Sequence, residues 1–372
     1  GKAGQTVKVH DGLYAVELWH GPTCAFKDYA LQLMPKLLVE AKKMLHRTET
    51  TRILVATSGD TGKAALAGYA DLDGIEIEVF YPNDGTSEIQ RLQMATQTGK
   101  NVQVYAVNGN FDDAQTGVKR VFADASVAEE LEKRGIRLSS ANSINWGRLV
   151  PQIVYYFYAY FRLVEQGAAA WGSPVDFCVP TGNFGDILAG YYAKQMGLPV
   201  GRLICASNKN NVLTDFLRTG TYDARRTFYK TTSPSMDILI SSNLERLLYH
   251  VSGSSEKVAA WMQRLAETGV YSVDADTLAK IQESFAAGCA DDAASFTEIK
   301  ARFAEDNYLC DTHTAVAFRV AKDLGTETPM AVLSTASPFK FPRAVLERSA
   351  TDTSVSSTNF EQATPKISPG TP

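Results

Sequence analysis

The sequence is poor in the features that would make several function classes easy to read. Its five cysteines, Cys24, Cys178, Cys205, Cys289 and Cys310, form no CxxC pair, show no metal-ligand spacing and are odd in number. This pattern argues against a disulfide framework and for reduced, mostly buried thiols in a cytosolic protein. The five histidines are scattered, so no zinc site is supported. Basic charge is not in excess, since 37 Lys and Arg stand against 41 Asp and Glu for a net charge of -4. That balance argues against nucleic acid as the main partner, because a phosphate backbone demands a basic footprint. No uninterrupted apolar stretch has membrane-spanning length, and the first residues carry no secretory signal. The longest apolar stretch, 153–164, is full of tyrosine and reads as a buried aromatic helix rather than a stacking platform. There is no Walker loop, no GxGxxG fingerprint and no repeat of fixed period, and nothing in the sequence suggests a Ser-His-Asp arrangement.

What is present is an ordinary globular composition, 45% hydrophobic and 21% charged, over 372 residues, enough for one large or two medium domains. Short β-branched runs alternate with helical periodicity. The run 13–19 is strand-like, and a helix is expected over about 25–45, with Leu31, Met34, Leu38, Ala41 and Leu45 on one face and a kink at Pro35. Strand-like runs at 52–56, 76–81 and 102–107 alternate with helical runs at 63–70, 87–98 and 112–123. A second such series runs from a helix at 150–164 through strands at 175–179 and 203–207 to a late strand at 329–334. The alternation points to α/β architecture with parallel sheets. Residues from 351 onward are rich in Ser, Thr and Pro and read as a disordered tail.

Four polar runs sit at the joints of this pattern. Cys24-Ala25-Phe26 leads into Lys27 at a helix entry. A lone lysine is usually a solvated surface group, but an apolar approach favours a partly buried amine, which loses proton affinity and becomes a better nucleophile. Ser58-Gly59-Asp60-Thr61-Gly62 follows a strand and opens a helix. Its hydroxyls and amides can form an anion pocket, or Ser58 or Asp60 can simply cap the helix. Ser140-Ala141-Asn142-Ser143-Ile144-Asn145-Trp146-Gly147-Arg148 is either an exposed loop with Asn145 as a helix cap or a bidentate anion clamp built on Arg148. Thr181-Gly182-Asn183-Phe184-Gly185-Asp186 has two glycines before a helix expected near Ile187, which suits a phosphate cradle or a plain strand-to-helix turn. A fifth, Ser334-Thr335-Ala336-Ser337, ends the late strand. His313, within Asp311-Thr312-His313, reads as part of a capped helix start.

Taken in order, these runs resemble threonine synthase, a family of fold-type-II pyridoxal-5'-phosphate (PLP) enzymes, over about residues 16–345. The run His20-Gly21-Pro22-Thr23-Cys24-Ala25-Phe26-Lys27-Asp28 carries the resemblance furthest. The resemblance implies a tryptophan-synthase-β-like fold of two αβα units with parallel or mixed sheets and the cofactor in the cleft between them. It implies a larger unit over 1–30 and 150–350 and a smaller one over 31–149. It further implies Lys27 as the Schiff-base lysine and the catalytic base. Asp60, Gly182, Asn183, Phe184, Gly185 and Thr335 would be cofactor contacts, Thr335 against the ring nitrogen. Ser58, Thr61, Asn142, Ser143 and Arg148 would bind substrate, the last three at its phosphate. The implied reaction turns O-phospho-L-homoserine and water into L-threonine and phosphate, in a cytoplasmic monomer or homodimer with no nucleic-acid or membrane partner. A phospholyase ending in a keto acid, a serine or threonine dehydratase, and a non-catalytic PLP or amino-acid binder are the competing readings. Asp60 stands where many relatives have Asn, and Ser337 where some have His. The bacterial and fungal members carry a further N-terminal segment ahead of the lysine run, which this sequence is expected to lack, together with any targeting sequence.

Overall fold

The computed structural model describes residues 4–83, 86–109, 111–325 and 327–349. The tail expected from 351 lies outside them. Twelve strands occur among the described residues: β1 (Gln5–His10), β2 (Leu13–Glu17), β3 (Thr50–Ala56), β4 (Ile75–Pro82), β5 (Val102–Val107), β6 (Ile136–Ser140), β7 (Val175–Pro180), β8 (Val200–Ser207), β9 (Thr221–Asp223), β10 (Val270–Ser272), β11 (Phe285–Cys289) and β12 (Met330–Ser334). Six build one sheet in the order β1-β2-β12-β7-β8-β11, four build another in the order β5-β4-β3-β6, and β9 pairs with β10 in a short ribbon. In the large sheet only β1–β2 is antiparallel. The small sheet is wholly parallel. Parallel strands covered on both faces should read as continuous apolar runs, and β7 and β12 are buried at every position.

The helices that position the site are α1 (Lys27–Met44), α2 (Asp60–Tyr69), α3 (Glu88–Ala95), α4 (Phe111–Ala123), α5 (Ala125–Lys133), α6 (Trp146–Leu149), α7 (Ile153–Glu165) and α8 (Gly185–Gln195). Helices α1 and α2 cross at Gly68. A Cβ built there would lie 1.8 Å from the Leu31 carbonyl oxygen, so only glycine permits the approach. Leu31, Ala64, Ala65, Leu66 and Tyr69 fill this crossing against β3 and β4. The tyrosine run does pack as core: Tyr155, Tyr156 and Tyr160 of α7 are buried, and the Tyr156 ring lies 5.1 Å from that of Phe177 on β7.

Several expectations need adjustment. Helix α1 continues through Pro35. Helices α2 and α8 begin two or three residues earlier than their periodicity indicates, at Asp60 and Gly185. Gly59 rather than Ser58 or Asp60 is the N-cap of α2, with no side-chain cap bond. The sequence reading also passes over β1, β6, β9, β10, β11 and α5. Strand β11 reads Phe-Ala-Ala-Gly-Cys, with weak intrinsic β-preference, and it exists because β8 offers it a parallel edge.

Candidate active site

The Lys27 loop is tied to the end of β12. Phe26 N–H donates to the Thr335 carbonyl at 2.9 Å, Ser337 N–H donates to the Cys24 carbonyl at 3.1 Å, and Ala25 bridges Ala336. Within the loop, Asp28 accepts from the Thr23 amide at 2.9 Å and the Thr23 hydroxyl at 2.6 Å. These bonds use up the Asp28 carboxylate locally and fix where α1 starts. Lys27, its first residue, therefore points into a cavity that Thr335 also lines.

The Lys27 side chain is 11% exposed, and its Nζ lies 3.6 Å from Asp60 Oδ2. Burial lowers its proton affinity, Asp60 opposes that, and the nearby Arg148 and Lys340 cations add to it; the amine lies below its ordinary value. Asp60 shows the opposite balance. Burial pushes it up, but Lys340 and Lys27 outweigh burial and hold the carboxyl well below the usual range.

Across the cavity, the turn after β7 presents its backbone. Ser241 Oγ donates to the Gly182 carbonyl at 3.3 Å and Asn243 Nδ2 to the Asn183 carbonyl at 3.0 Å. In a trans peptide the following amide points the opposite way, so the Asn183 and Phe184 N–H groups face away from those side chains. Phe184 is buried and left-handed, φ +62°, a conformation costing a non-glycine residue about 1 kcal/mol. A Cβ at position 182 would meet the Ser235 carbonyl oxygen at 2.6 Å. Together with the first turn of α8, these groups make a concave row of donors at a helix N-terminus, suited to an anion.

Arg148, on α6, is 3% exposed. Its NH1 donates to the Ala141 carbonyl at 2.6 Å, while its Nε lacks a partner. No carboxylate pairs with it among the described residues, and burial draws the guanidinium down to about 10, still cationic at neutral pH. A buried cation with unfilled donors is costly unless an anion completes it. Asn142 and Ser143 line the same cavity. Asn142 Nδ2 donates to the Ala56 carbonyl at 3.2 Å, and Ser143 Oγ lies 3.3 Å from Ser242 Oγ. Thr61, Gly182, Asn183, Phe184 and Gly185 line it too. Ser58 and Asp60 do not. Thr57 shapes that loop instead, its Oγ1 accepting from the amides of Gly59 and Gly62, both at 2.9 Å, and Asp60 reaches the cavity only through Lys27.

The structure adds residues to which the sequence reading gave no role. Asp186 lines the cavity with Oδ1 held by the Tyr155 and Tyr156 hydroxyls at 2.6 and 3.0 Å and Oδ2 without a partner. Burial raises it to about 6, against the pull of both tyrosines and Lys27. His313 is more than part of a helix start. Asp311 is the cap, accepting from the His313 amide at 2.8 Å, and the buried His313 ring borders the cavity. Its Nε2 accepts from the Ser235 amide at 3.2 Å, so Nδ1 carries the proton shared with Asp311 at 2.8 Å. Lys340, with Asp60, completes the buried set. A lysine flanked by Phe339 and Phe341 was the one signal that could have revealed it.

A family model described as pyridoxal-phosphate dependent enzyme matches residues 3–290, and one described as threonine synthase, C-terminal, matches residues 314–366. The human protein named threonine synthase-like 1 is 42% identical over 343 residues, covering 90% of this chain and 46% of that protein. The chain thus spans less than half the length of the first curated relatives it matches. A threonine synthase of Pseudomonas aeruginosa is 42% identical over 338 residues, covering 89% of this chain and 69% of that one. Among solved structures, PLP-bound threonine synthase from Brucella melitensis superposes with a TM-score of 0.86 at 41% identity, covering 93% of this chain and 72% of that one. Threonine synthase from yeast gives 0.85 at 35%, covering 97% and 74%.

Proposed function

Because the chain belongs to the threonine synthase family of pyridoxal-phosphate-dependent enzymes, we propose that it converts O-phospho-L-homoserine and water to L-threonine and phosphate. The observation that carries this reading is the pairing, in one cavity, of a buried amine of lowered basicity with a buried guanidinium that lacks an anion.

The residues present fit the cofactor. The amides around Gly182, Asn183, Phe184 and Gly185 would hold its phosphate, in a cradle that a Cβ at 182 would obstruct. Lys27 would hold it covalently, Thr335 would face its ring nitrogen with a neutral hydroxyl, and Asp60 would approach its ring hydroxyl by way of Lys27. When bound, the cofactor serves as a sink for the electrons left behind as protons leave the substrate. Every other role falls to the chain. Lys27 Nζ, neutral once released, takes the proton from Cα. Arg148, Asn142 and Ser143, with Thr61, hold the substrate phosphate in line for departure from Cγ. Ser58, in the small-residue loop, is assigned to the substrate carboxylate on resemblance alone. A dehydratase has no use for a second phosphate clamp, and Arg148 is therefore the residue that separates the two activities.

All of these groups lie on one chain, which supports a site built within a single subunit of a monomer or homodimer. We assign residues 31–149 to the smaller unit and 1–30 with 150–350 to the larger, in line with the two sheets. Five free cysteines support a reducing, cytoplasmic setting, and no described helix is long and apolar enough to cross a membrane.

The test is product analysis after the PLP-loaded full chain is incubated with O-phospho-L-homoserine. Threonine and phosphate in equal amounts are expected. Phosphate with a keto acid would move the protein to a phospholyase, and neither product, with PLP bound, would reject the substrate assignment.

A further inference from the structure

Lys340 is a buried lysine with no place in the reaction above. It ends the short 3-10 turn Pro338–Lys340 that follows β12 and is 2% exposed. Its ammonium donates to the Thr23 carbonyl at 2.9 Å and pairs with Asp60 Oδ1 at 2.6 Å. Gln90 Nε2 donates to that same oxygen at 2.9 Å, and Gln90 is fixed by a reciprocal capping box with Ser87 at the start of α3. Ser87 Oγ in turn donates to the Lys340 carbonyl at 3.2 Å. The loop is closed: each member of Lys340, Asp60, Gln90 and Ser87 holds the next.

Asp60 Oδ1 is thus engaged twice at hydrogen-bond distance, whereas Oδ2 stands 3.6 Å from Lys27 Nζ. Attraction falls with distance, and 3.6 Å lies beyond an ordinary hydrogen bond. The other charges facing Lys27 do not make up the difference. Arg148 on α6 repels it, Asp186 on α8 has only Oδ1 held by Tyr155 and Tyr156 but forms no ion pair with Lys27, and Asp28 on its own helix is used by Thr23. We propose that Lys340 is a positioning residue for the reaction: it draws Asp60 off Lys27 and leaves the Lys27 amine short of a full counter-ion. Lysine needs its lone pair both to capture an aldehyde and to take a proton from carbon. A carboxylate shared with a second, permanently buried cation keeps that lone pair available while still orienting the amine. The inference rests on the reading of Lys27 as the reacting amine, but not on which product forms.

The test measures Lys27 directly in the full chain freed of cofactor. Its rate of carbamylation by cyanate is followed against pH by peptide mass spectrometry, with exposed Lys36 as internal reference. In Lys340→Met the labelling midpoint of Lys27 should move up by about one pH unit or more, a tenfold gain in proton affinity, while Lys36 stays put. An unmoved or lowered midpoint would overturn the proposal. Asp60→Asn supplies an independent arm. It should lower the Lys27 midpoint, and in that background Lys340→Met should produce a smaller rise than in the wild type. If Lys340→Met fails to fold, an Asp60→Asn midpoint equal to wild type sinks the proposal alone. Because a purely structural role for Lys340 changes stability but not a labelling midpoint, the readout separates the two. A normal result here alongside failure to make threonine would reject the substrate reading and leave this one standing.

Discussion

At the scale of single residues, two buried charges make opposite demands on their surroundings. Arg148 is cationic and incompletely bonded, so its partner is expected to come from outside the protein. Arg148→Ala should raise KM for a phosphorylated substrate by roughly 10- to 100-fold, the range of one to two charge-assisted hydrogen bonds, with cofactor affinity nearly unchanged. Equal loss of both would assign it a structural role. Asp186 is raised from 3.8 to about 6, so the folded state binds its proton more tightly than the unfolded state does. The stability it contributes is fully present below about pH 4 and is lost as pH rises through about 6, up to about 3 kcal/mol for a shift of this size. Denaturant unfolding of wild type and Asp186→Asn between pH 4 and 7 should therefore show the variant gaining relative stability as pH rises. Parallel curves would mean that Asp186 titrates as an ordinary carboxylate.

At the scale of elements, the crossing of α1 and α2 decides where Lys27 meets Asp60. Gly68 sits inside a helix, where propensity alone says that alanine should stabilise by up to about 1 kcal/mol. The Leu31 carbonyl leaves no space for a methyl group, so Gly68→Ala should instead destabilise by about 1–3 kcal/mol and weaken cofactor binding. A stabilised variant in denaturant titration would show that the crossing is looser than it looks. Crossings of this kind are not legible in a sequence. Periodicity places α1 and α2 as helices to within a few residues, because apolar spacing is a local signal. It says nothing of which glycine faces which carbonyl. The same limit explains the site. The Lys27 run, the 182–185 turn and Arg148 stand out because small, polar and charged residues interrupt apolar runs. Lys340, Gln90 and Asp311 act through partners distant in sequence or through a cap, and only the folded chain shows what they hold. Ser58 was legible as a loop residue, yet the adjacent Thr57 makes the bonds that shape the loop.

At the scale of the whole molecule, the candidate site draws on both sheets and on segments from residue 23 to residue 340. A ligand bound there should stabilise the entire fold by mass action, by about 2.7 kcal/mol when present at 100 times its Kd. Thermal unfolding with and without PLP should show a raised midpoint for the wild type. Lys27→Ala should lose the visible absorbance of the bound cofactor and retain a smaller midpoint shift from the phosphate cradle. Visible absorbance surviving in that variant would remove Lys27 from its role.

The strand order has a consequence for how the protein comes into being. All four strands of the small sheet lie between residues 50 and 140 and can pair while the chain is still emerging from the ribosome. The hairpin of β1 and β2 pairs within residues 5–17, but its place in the large sheet must wait, since Leu13–Glu17 takes its other neighbour from Met330–Ser334. At translation rates of roughly 5–20 residues per second, that wait lasts roughly 15–60 s. Throughout it Lys27 has neither Thr335 above it nor Lys340 beside it. The nascent chain therefore lacks the contacts that set the surroundings of Lys27, and the candidate site is assembled only once β12 and the turn after it have been made.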